Sequence, residues 1–556
     1  MKNSKKGSAR LNTVSILIGS LVVAIAVSIQ ARDGQDRGSR NNRPIVVTDK
    51  GPVRGFVRHG VNIFLGIPYA APPVGNLRWM PPRQARPWVG VLDATEYANT
   101  CPQIDELGVF AGPSSASEDC LYLNVFTTGL GKGTRALKPV LVWLHGGGNF
   151  AGESNDYDGS KLATGGRFGV PTAVVTINYR LGLLGFLSES HLNSEGHLSG
   201  NYGILDQQAA LRWVQANIAA FGGDPNRVAL GGQSAGAQDT MANMISPLAT
   251  GLFNRAIIQS HPAVVFFTAA NALSNGNAFA AASGCLDAAC LRGLSVERIL
   301  QLQDPYITWP FADGTIIPIP SDVGWATGEY NHMAIMGGAT KDEGLFGAGR
   351  REYRSGPPQV VLTPAQYTTD NPASVLAEYP LSNYDGDPTV AQERINTDPA
   401  KCRVLQILKS QAATDGGFKV YGYDFTYENS PFYFPQMPNL YSPTGHFRPL
   451  ADHSSDIQYL FKGWHGGNLG VNVDQTTGQA RELEGAEIAL SDQLVAAWTH
   501  FAATGNPNGS GTPIWPAFTP HSAVFLREDI PNSIETEAQY RANYKCDFWD
   551  GMPTGK

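Results

Sequence analysis

The chain has 556 residues, of which 42% are hydrophobic and 10% aromatic, and its formal net charge is −7. This length and composition are those of a large globular protein and exclude disorder as the default state. The negative charge argues against a nucleic-acid partner, because phosphate contacts require clustered lysine and arginine.

The N-terminal region has the pattern of an export signal. Basic residues up to Arg10 precede an uncharged, mostly apolar stretch at 14–27, and small residues follow near 28–31. An uncleaved anchor helix is the competing interpretation, but the apolar stretch is shorter than the roughly 20 residues that a membrane span needs. We therefore predict a signal peptide over 1–31, secretion or export to the periplasm, and no stable membrane insertion after cleavage.

A flexible polar leader is predicted over 32–42, followed by one domain over 43–556. Short apolar runs rich in β-branched residues predict strands that are covered on both faces, at 140–144, 173–178, 228–230, 256–258 and 333–336. Helical periodicity predicts a helix from Ile204 to Phe221, ended by Gly222, and another from Leu490 to Phe501, ended by Gly505. Alternating strands and helices predict an α/β fold with a large, mostly parallel central sheet flanked by helices on both faces.

The pentapeptide Gly232-Gln233-Ser234-Ala235-Gly236 directly follows the strand predicted at 228–230. Small residues flank the serine because a sharp strand-to-helix turn leaves no room for larger side chains. Such a turn aims the hydroxyl at a substrate and places a helix N-terminus where an oxyanion would form. The pattern predicts that Ser234 is a nucleophile, against the alternative of a structural turn serine.

A glycine-rich segment, His145-Gly146-Gly147-Gly148, follows the strand predicted at 140–144. Successive glycines let backbone amides point into a site without obstruction. Together with the serine turn, the segment predicts an oxyanion hole formed by the amides of Gly147, Gly148 and Ala235.

A serine nucleophile needs a base, and the base needs an orienting acid, in the chain order serine, acid, histidine. The last predicted strand leads to two adjacent acids, Asp342 and Glu343. Among the downstream histidines, His453 lies in a polar loop before an apolar stretch, as a base usually does. The pattern alone does not separate Glu343 from Asp342, or His453 from His446.

Six cysteines in an exported chain indicate disulfides rather than free thiols. The spacing is compatible with a local pair, a pair that encloses loop-like sequence and a pair that joins distant segments: Cys285 with Cys290, Cys101 with Cys120, and Cys402 with Cys546. None of the cysteines has the Cys/His spacing of a zinc site, and we predict no metal.

Several ordered motifs give the chain a specific resemblance from Gly51 almost to its end. They are FLGIPYAAPPVGNLR at 64–78, EDCLYLN at 118–124, NYRLG at 178–182 and GNYGILD at 200–206. With these motifs, the sequence resembles the type-B carboxylesterases. That family of α/β-hydrolases includes cholinesterases, bile-salt-type and fungal lipases, and bacterial para-nitrobenzyl esterases.

The resemblance implies roles for individual residues. The family's acid falls on Glu343, its histidine on His453, and its oxyanion amides on Gly147, Gly148 and Ala235. Its three disulfides match the three cysteine pairs above. The implied mechanism is acyl transfer through a covalent Ser234 intermediate, with His453 as base and Glu343 as its orienting partner, and without an organic cofactor.

The chain departs from the family pattern in three places, the third of which is a pair of adjacent residues. Gln233 precedes the nucleophile where many members carry Glu, which makes a choline-type cationic substrate less favoured. Asn149 follows the glycine triplet where Phe is common, and His261 and Pro262 follow Ser260 where small residues are more usual. These departures bear on the acyl and alcohol pockets and not on the three catalytic positions.

The substrate expected is a small-molecule carboxylic ester of small to medium size. The Cys101 to Cys120 loop, which is the family's lid region, is short and does not form a long amphipathic helix, although it contains Leu107, Val109 and Phe110. A lipase for longer glycerides or a specialised ester hydrolase is the main alternative. A non-catalytic adhesion member of the family is disfavoured because the catalytic residue types are retained. The oligomeric state does not follow from the sequence.

Overall fold

A computed structural model describes residues 43–104, 111–131, 136–261, 267–307, 309–347, 362–414, 416–432, 449–461, 472, 474–477 and 479–552. The predicted signal peptide and leader, Pro262, His446, and Leu107, Val109 and Phe110 of the Cys101 to Cys120 loop lie outside these residues. The described residues fall within one compact unit, Asn41–Lys556.

The strands of the described residues are, in chain order, β1 (Ile45–Val47), β2 (Pro52–Arg54), β3 (Phe56–Arg58), β4 (Val61–Pro68), β5 (Leu92–Asp93), β6 (Tyr122–Thr127), β7 (Lys138–Leu144), β8 (Ala173–Ile177), β9 (Gly223–Gln233), β10 (Arg255–Gln259), β11 (Phe267–Thr268), β12 (Phe311–Ala312), β13 (Ala334–Thr340), β14 (Val420–Phe425), β15 (Val524–Glu528) and β16 (Ser533–Thr536). The α-helices are α1 (Ser160–Thr164), α2 (Gly182–Phe186), α3 (Ser190–Asn193), α4 (Tyr202–Asn217), α5 (Ala235–Ile245), α6 (Ala269–Ser283), α7 (Ala288–Gly293), α8 (Val296–Leu302), α9 (Ser321–Thr327), α10 (Pro364–Asp370), α11 (Ala373–Glu378), α12 (Pro388–Thr414), α13 (Ile457–Leu460), α14 (Ala486–Thr504), α15 (Glu537–Asn543) and α16 (Cys546–Asp550).

The main sheet has 11 strands in the order β16-β15-β14-β13-β10-β9-β7-β8-β6-β4-β3. Its centre, from β8 through β15, is parallel, and antiparallel strands complete both edges. The predicted large and mostly parallel sheet is therefore confirmed. The carboxyl ends of β7, β9 and β13 lie on one edge of this sheet, which is where loops of an α/β fold usually carry function.

Both faces of the sheet are buried, which explains the unbroken apolar runs of its central strands. Along β7, Val140, Val142 and Leu144 pack into a core that also contains residues of α4, α5 and α12. The alternate residues Leu141 and Trp143 pack into a second core with residues of α1 and α14. Helices thus cover the sheet on its two faces, as the α/β prediction requires.

The predicted strands and helices are all present, and most have longer bounds; the strand predicted at 173–178 ends one residue earlier, at Ile177. The largest difference is β9, which begins at Gly223 rather than at Val228, because its polar first half pairs with the start of β7 through Lys138 and Gly223. Continuous apolar character, on which the prediction relied, is absent there. The two predicted helices correspond to α4, extended by a 3-10 turn at Ile218–Phe221, and to α14; glycines with positive φ end both.

Three disulfides join Cys101 with Cys120, Cys285 with Cys290, and Cys402 with Cys546. These are the pairs that the family resemblance implies. Among the helices of the described residues, none combines the length and the apolar character that crossing a membrane requires.

Candidate active site

Ser234 is the single residue between β9 and α5, and its backbone has φ 58° and ψ −123°. A non-glycine residue rarely adopts this strained conformation, and such residues concentrate at functional sites. The flanking glycine is sterically required, because a Cβ on Gly236 would lie 2.1 Å from the carbonyl oxygen of Leu144. The Ser234 amide donates to the Gln259 carbonyl at 2.9 Å, which fixes the turn to β10.

Glu343 and His453 lie together at the same edge of the sheet. Glu343 follows β13, and its Oε1 accepts hydrogen bonds from the amide and the hydroxyl of Thr340, each at 2.9 Å. Its Oε2 accepts a hydrogen bond from Nδ1 of His453. Burial alone would raise the pKa of Glu343, but the His453 ring and the hydrogen bonds outweigh it and lower that pKa to about 2, so the carboxylate stays ionised.

The adjacent acid, Asp342, is directed elsewhere. Its Oδ2 accepts a hydrogen bond from the Ala451 amide at 3.2 Å, and its Oδ1 lies 3.6 Å from the Arg394 guanidinium. Burial raises the pKa of Asp342 to about 6. Of the two neighbouring acids that the sequence left open, Glu343 is therefore the one that contacts His453.

The other ring nitrogen of His453 faces the serine turn. Gln233, the residue before Ser234, places its Nε2 at 3.0 Å from Nε2 of His453. With the Nδ1 hydrogen donated to Glu343, Nε2 of a neutral ring carries a lone pair and accepts from the Gln233 amide. The contact brings Glu343, His453 and the Ser234 turn into one cluster.

The glycine-rich segment after β7 packs against the same turn. A Cβ on Gly146 would lie 3.0 Å from the Ser234 Cβ, so the segment approaches the serine closely. Gly147, Gly148 and Asn149 have φ values of 102°, 63° and 59°, which curl the segment back on itself. No acceptor among the described residues takes a hydrogen bond from the amide of Gly147 or Gly148. These amides, and that of Ala235 at the start of α5, are donors suited to an anion.

Two contributors to the site carry no recognisable sequence signal. Trp309 donates from its indole nitrogen to the Gly148 carbonyl at 2.8 Å, which holds the glycine-rich segment from the side. Thr340 supplies the two donors to Glu343 described above. A motif search could not find Trp309, because it lies far from the other site residues in the chain and only folding brings it there.

Other histidines occupy structural positions. Burial lowers the pKa of His145 to about 4, and the ring stacks on Tyr179 with centroids 4.4 Å apart. His191 pairs with Glu189 on the surface. The described residues contain no group of three or more His, Cys, Asp or Glu side chains arranged to hold a metal ion.

Comparison with known proteins gives consistent matches across the chain. A family model described as the carboxylesterase family matches residues 42–549. Human cocaine esterase is 32% identical over 545 residues, covering 92% of this chain and 91% of that protein. Fumonisin B1 esterase from Sphingopyxis macrogoltabida is 34% identical over 491 residues, covering 85% of this chain and 84% of that protein. The solved structure of a thermophilic PNB esterase superposes with a TM-score of 0.70 at 30% identity, covering 90% of this chain and 100% of the other.

Proposed function

Because the chain belongs to the carboxylesterase family and is a carboxylic ester hydrolase, we propose that Ser234, His453 and Glu343 carry out the hydrolysis through an acyl-enzyme intermediate. The observation that carries this proposal is the cluster itself: a strained serine turn, a histidine and an ionised glutamate meet beside unpaired backbone amides. The serine hydroxyl can act as a nucleophile, the imidazole as its base, and the carboxylate as the group that orients the imidazole.

In the first half of the reaction, Nε2 of His453 takes the Ser234 proton as the serine oxygen attacks the ester carbonyl. Glu343 holds the ring with its hydrogen on Nδ1 and stabilises the imidazolium that forms. The amides of Gly147, Gly148 and Ala235 stabilise the tetrahedral oxyanion, a contribution of ~3 kcal/mol for each donor in comparable sites. His453 then protonates the leaving alcohol.

In the second half, water takes the place of the alcohol. His453 removes a proton from the water as it attacks the acyl group on Ser234. As the second tetrahedral intermediate collapses, the bond between the acyl carbon and the Ser234 oxygen breaks, His453 returns the proton to that oxygen, and the acid is released. The Gln233 amide occupies the Nε2 lone pair in the structure, so it must give way before either proton transfer. No step requires a cofactor.

We propose soluble esters of small to medium size as the substrate class. Support comes from the names of relatives, which include a cocaine esterase and a fumonisin B1 esterase. Neutral Gln233 next to the base disfavours selection for cationic alcohols, since it supplies no negative charge.

Hydrolysis of para-nitrophenyl esters from acetate to palmitate, with the wild-type protein beside Ser234→Ala, tests the proposal. We expect the highest kcat/KM at short acyl chains and no turnover in the variant. Highest activity on an emulsified long-chain ester would instead identify a lipase. Equal activity of wild type and Ser234→Ala would exclude Ser234 as nucleophile.

The identity of the acid is tested by a matched pair of neighbours. Glu343→Gln removes the charge that holds His453, and we expect kcat to fall by roughly 10³-fold or more, since loss of a triad acid has that effect elsewhere. Asp342→Asn, a change of the same kind one residue away, should lower kcat far less. A larger loss in Asp342→Asn, with the fold retained by circular dichroism, would show that the acid is misassigned.

We also propose export with cleavage of residues 1–31 and one catalytic domain over 43–556. Support comes from the basic and apolar pattern of the N-terminus and from three disulfides, which persist in oxidising compartments. N-terminal sequencing of protein recovered outside the cytoplasm would be expected to start near residue 32. A mature protein that begins at Met1 would contradict cleavage.

A further inference from the structure

A buried carboxyl group lies behind the glycine-rich segment and takes no part in the mechanism above. Asp239 is on α5, five residues after Ser234, and is 0% exposed. Within the described part of the chain, no lysine or arginine forms an ion pair with it. Burial raises the pKa of Asp239 to about 7, the direction expected of a carboxyl without a cation. Retaining such a group in a core requires a compensating set of hydrogen bonds.

Amide side chains from two other elements supply those hydrogen bonds. Asn149 donates from Nδ2 to Oδ1 of Asp239 at 3.0 Å, and Gln207 of α4 donates from Nε2 to Oδ2 at 2.6 Å. Asn243, one turn further along α5, donates to Oε1 of Gln207 at 2.8 Å and so orients that amide. All four side chains of this network are buried, and Asn149 links it to the end of the glycine-rich segment.

Asn149 is held through its main chain as well. Its φ of 59° is left-handed, a conformation that asparagine tolerates better than most residues, and its carbonyl accepts from the Gly182 amide at 2.7 Å. Phe is common at this position in the family, and Phe could not hydrogen bond to Asp239. Asn149 thus supplies a hydrogen bond to Asp239 that the common family residue could not make.

The other end of the glycine-rich segment is held by Tyr179. The Tyr179 hydroxyl donates to the His145 carbonyl at 2.7 Å, while its ring stacks on the His145 ring. Burial, and after it the charge of the nearby Asp239 carboxyl, raises the pKa of Tyr179, so the hydroxyl keeps its hydrogen for this bond. Asp239 therefore bonds directly to Asn149 at one end of the segment and lies near the side chain that holds His145 at the other.

We propose that Asn149 and Asp239 form a clamp that positions the amides of Gly147 and Gly148 relative to the amide of Ala235. The three donors of the oxyanion hole come from two separate elements, the glycine-rich segment and α5. Asp239 belongs to the helix that carries the third donor and binds the segment that carries the other two. Both are positioning residues for the acyl-transfer reaction, and the inference rests on the proposed function.

The clamp has a kinetic consequence, because the oxyanion exists only in the transition state and the intermediate. Its loss should lower kcat and leave KM nearly unchanged. We expect Asn149→Gly, which tolerates the positive φ, and Asp239→Ala each to lower kcat by about 10- to 100-fold. Because the two act as one unit, the double variant should be only slightly slower than either single variant.

A second readout isolates the oxyanion hole. An aryl trifluoromethyl ketone adds to a catalytic serine as an anionic hemiketal, and its Ki should rise in each variant by the same factor by which kcat/KM falls. Asp398→Ala is the control for loss of a buried helical carboxyl away from the glycine-rich segment and α5, because Asp398 accepts from the Tyr379 hydroxyl at 2.8 Å and pairs with Arg394 at 2.7 Å. Its kcat should stay within about twofold of wild type.

Several outcomes would overturn the clamp: losses that multiply in the double variant, a change in KM alone, an unaltered ketone Ki, or an equal loss of kcat in Asp398→Ala. If Asp239→Ala does not fold, Asp239→Asn, which keeps the size of the side chain, takes its place in the comparison of single and double variants. Ser234→Ala distinguishes failure of the clamp from failure of the proposed function. An inactive Ser234→Ala beside a fully active Asn149→Gly refutes the clamp alone, whereas an active Ser234→Ala refutes the proposed function.

Discussion

The side chain of Gln233 contacts the ring of His453, the proposed base, and its charge therefore affects how that ring works. Its amide faces the Nε2 lone pair of His453, which receives the serine proton in the proposed mechanism, and it carries no charge. A carboxylate at this position would favour the protonated imidazolium by direct attraction, whereas an amide interacts with the neutral ring. The choice of residue therefore affects the pH at which the ring becomes available as a base.

We expect Gln233→Glu to move the acid limb of the kcat/KM profile to higher pH by about one unit, because an opposite charge in contact stabilises the protonated ring. The variant should also gain relative activity on esters of cationic alcohols. Steady-state kinetics from pH 5 to 9 on a neutral and a quaternary-ammonium ester measures both effects. Gln233→Met, which has a similar length and no charge, removes only the hydrogen bond to the neutral ring and should move the limb far less than Gln233→Glu. If Gln233→Glu leaves both the pH profile and the preference between the two esters unchanged, Gln233 does not determine specificity.

At the scale of elements, the site depends on how closely β9, β7 and α5 approach one another. Gly236, the second residue of α5, lies against the backbone at the end of β7, where a Cβ would lie 2.1 Å from the Leu144 carbonyl oxygen. This contact sets where the helix N-terminus lies, and with it the amide of Ala235. The small residues of the serine motif are therefore needed for the close packing of α5 against β7 as well as for the turn itself.

Gly236→Ala should separate these elements. The added methyl would lie 2.1 Å from the Leu144 carbonyl oxygen, and backbone cannot yield as a side chain can. We expect a loss of stability of about 1–3 kcal/mol and a large fall in kcat. Gly293→Ala in α7 is the control, since its Cβ would meet nothing within 4 Å. Thermal unfolding and ester kinetics on both variants give the comparison, and wild-type behaviour of Gly236→Ala would show that the contact is relaxed in solution.

At the scale of the whole molecule, the disulfides close segments of very different length. Cys402 and Cys546 are 144 residues apart and join α12 to the C-terminal helix α16, whereas Cys285 and Cys290 are separated by 5. A cross-link stabilises chiefly by restricting the unfolded chain, and longer loops lose more entropy. The long-range pair should therefore contribute more to global stability.

Replacing both cysteines of the long-range pair by alanine should lower the free energy of unfolding by about 5 kcal/mol, against about 2 kcal/mol for the local pair. Urea unfolding of the two double variants under non-reducing conditions measures the difference. Similar losses in the two variants would mean that residual structure in the unfolded state, rather than loop length, sets the contribution.

The sequence determined the features that are encoded locally. The apolar runs predicted the central strands because both faces of a parallel sheet are buried, and the pentapeptide around Ser234 predicted a strand-to-helix turn because close packing admits only small residues there. The family motifs favoured Glu343 and His453 where pattern alone left Asp342 and His446 as equal candidates.

Only the tertiary structure decided the contacts between distant segments. Gln233 reaches His453 across 220 positions, Asn149 meets Asp239 across 90, and Trp309 reaches Gly148 across 161. Nothing in the local pattern of these residues specifies a partner, since an amide, a carboxyl or an indole can hydrogen bond in many places. Their partners are fixed by the order of strands in the sheet, which brings the ends of β7, β9 and β13 to one edge and encloses the polar groups that must then satisfy one another.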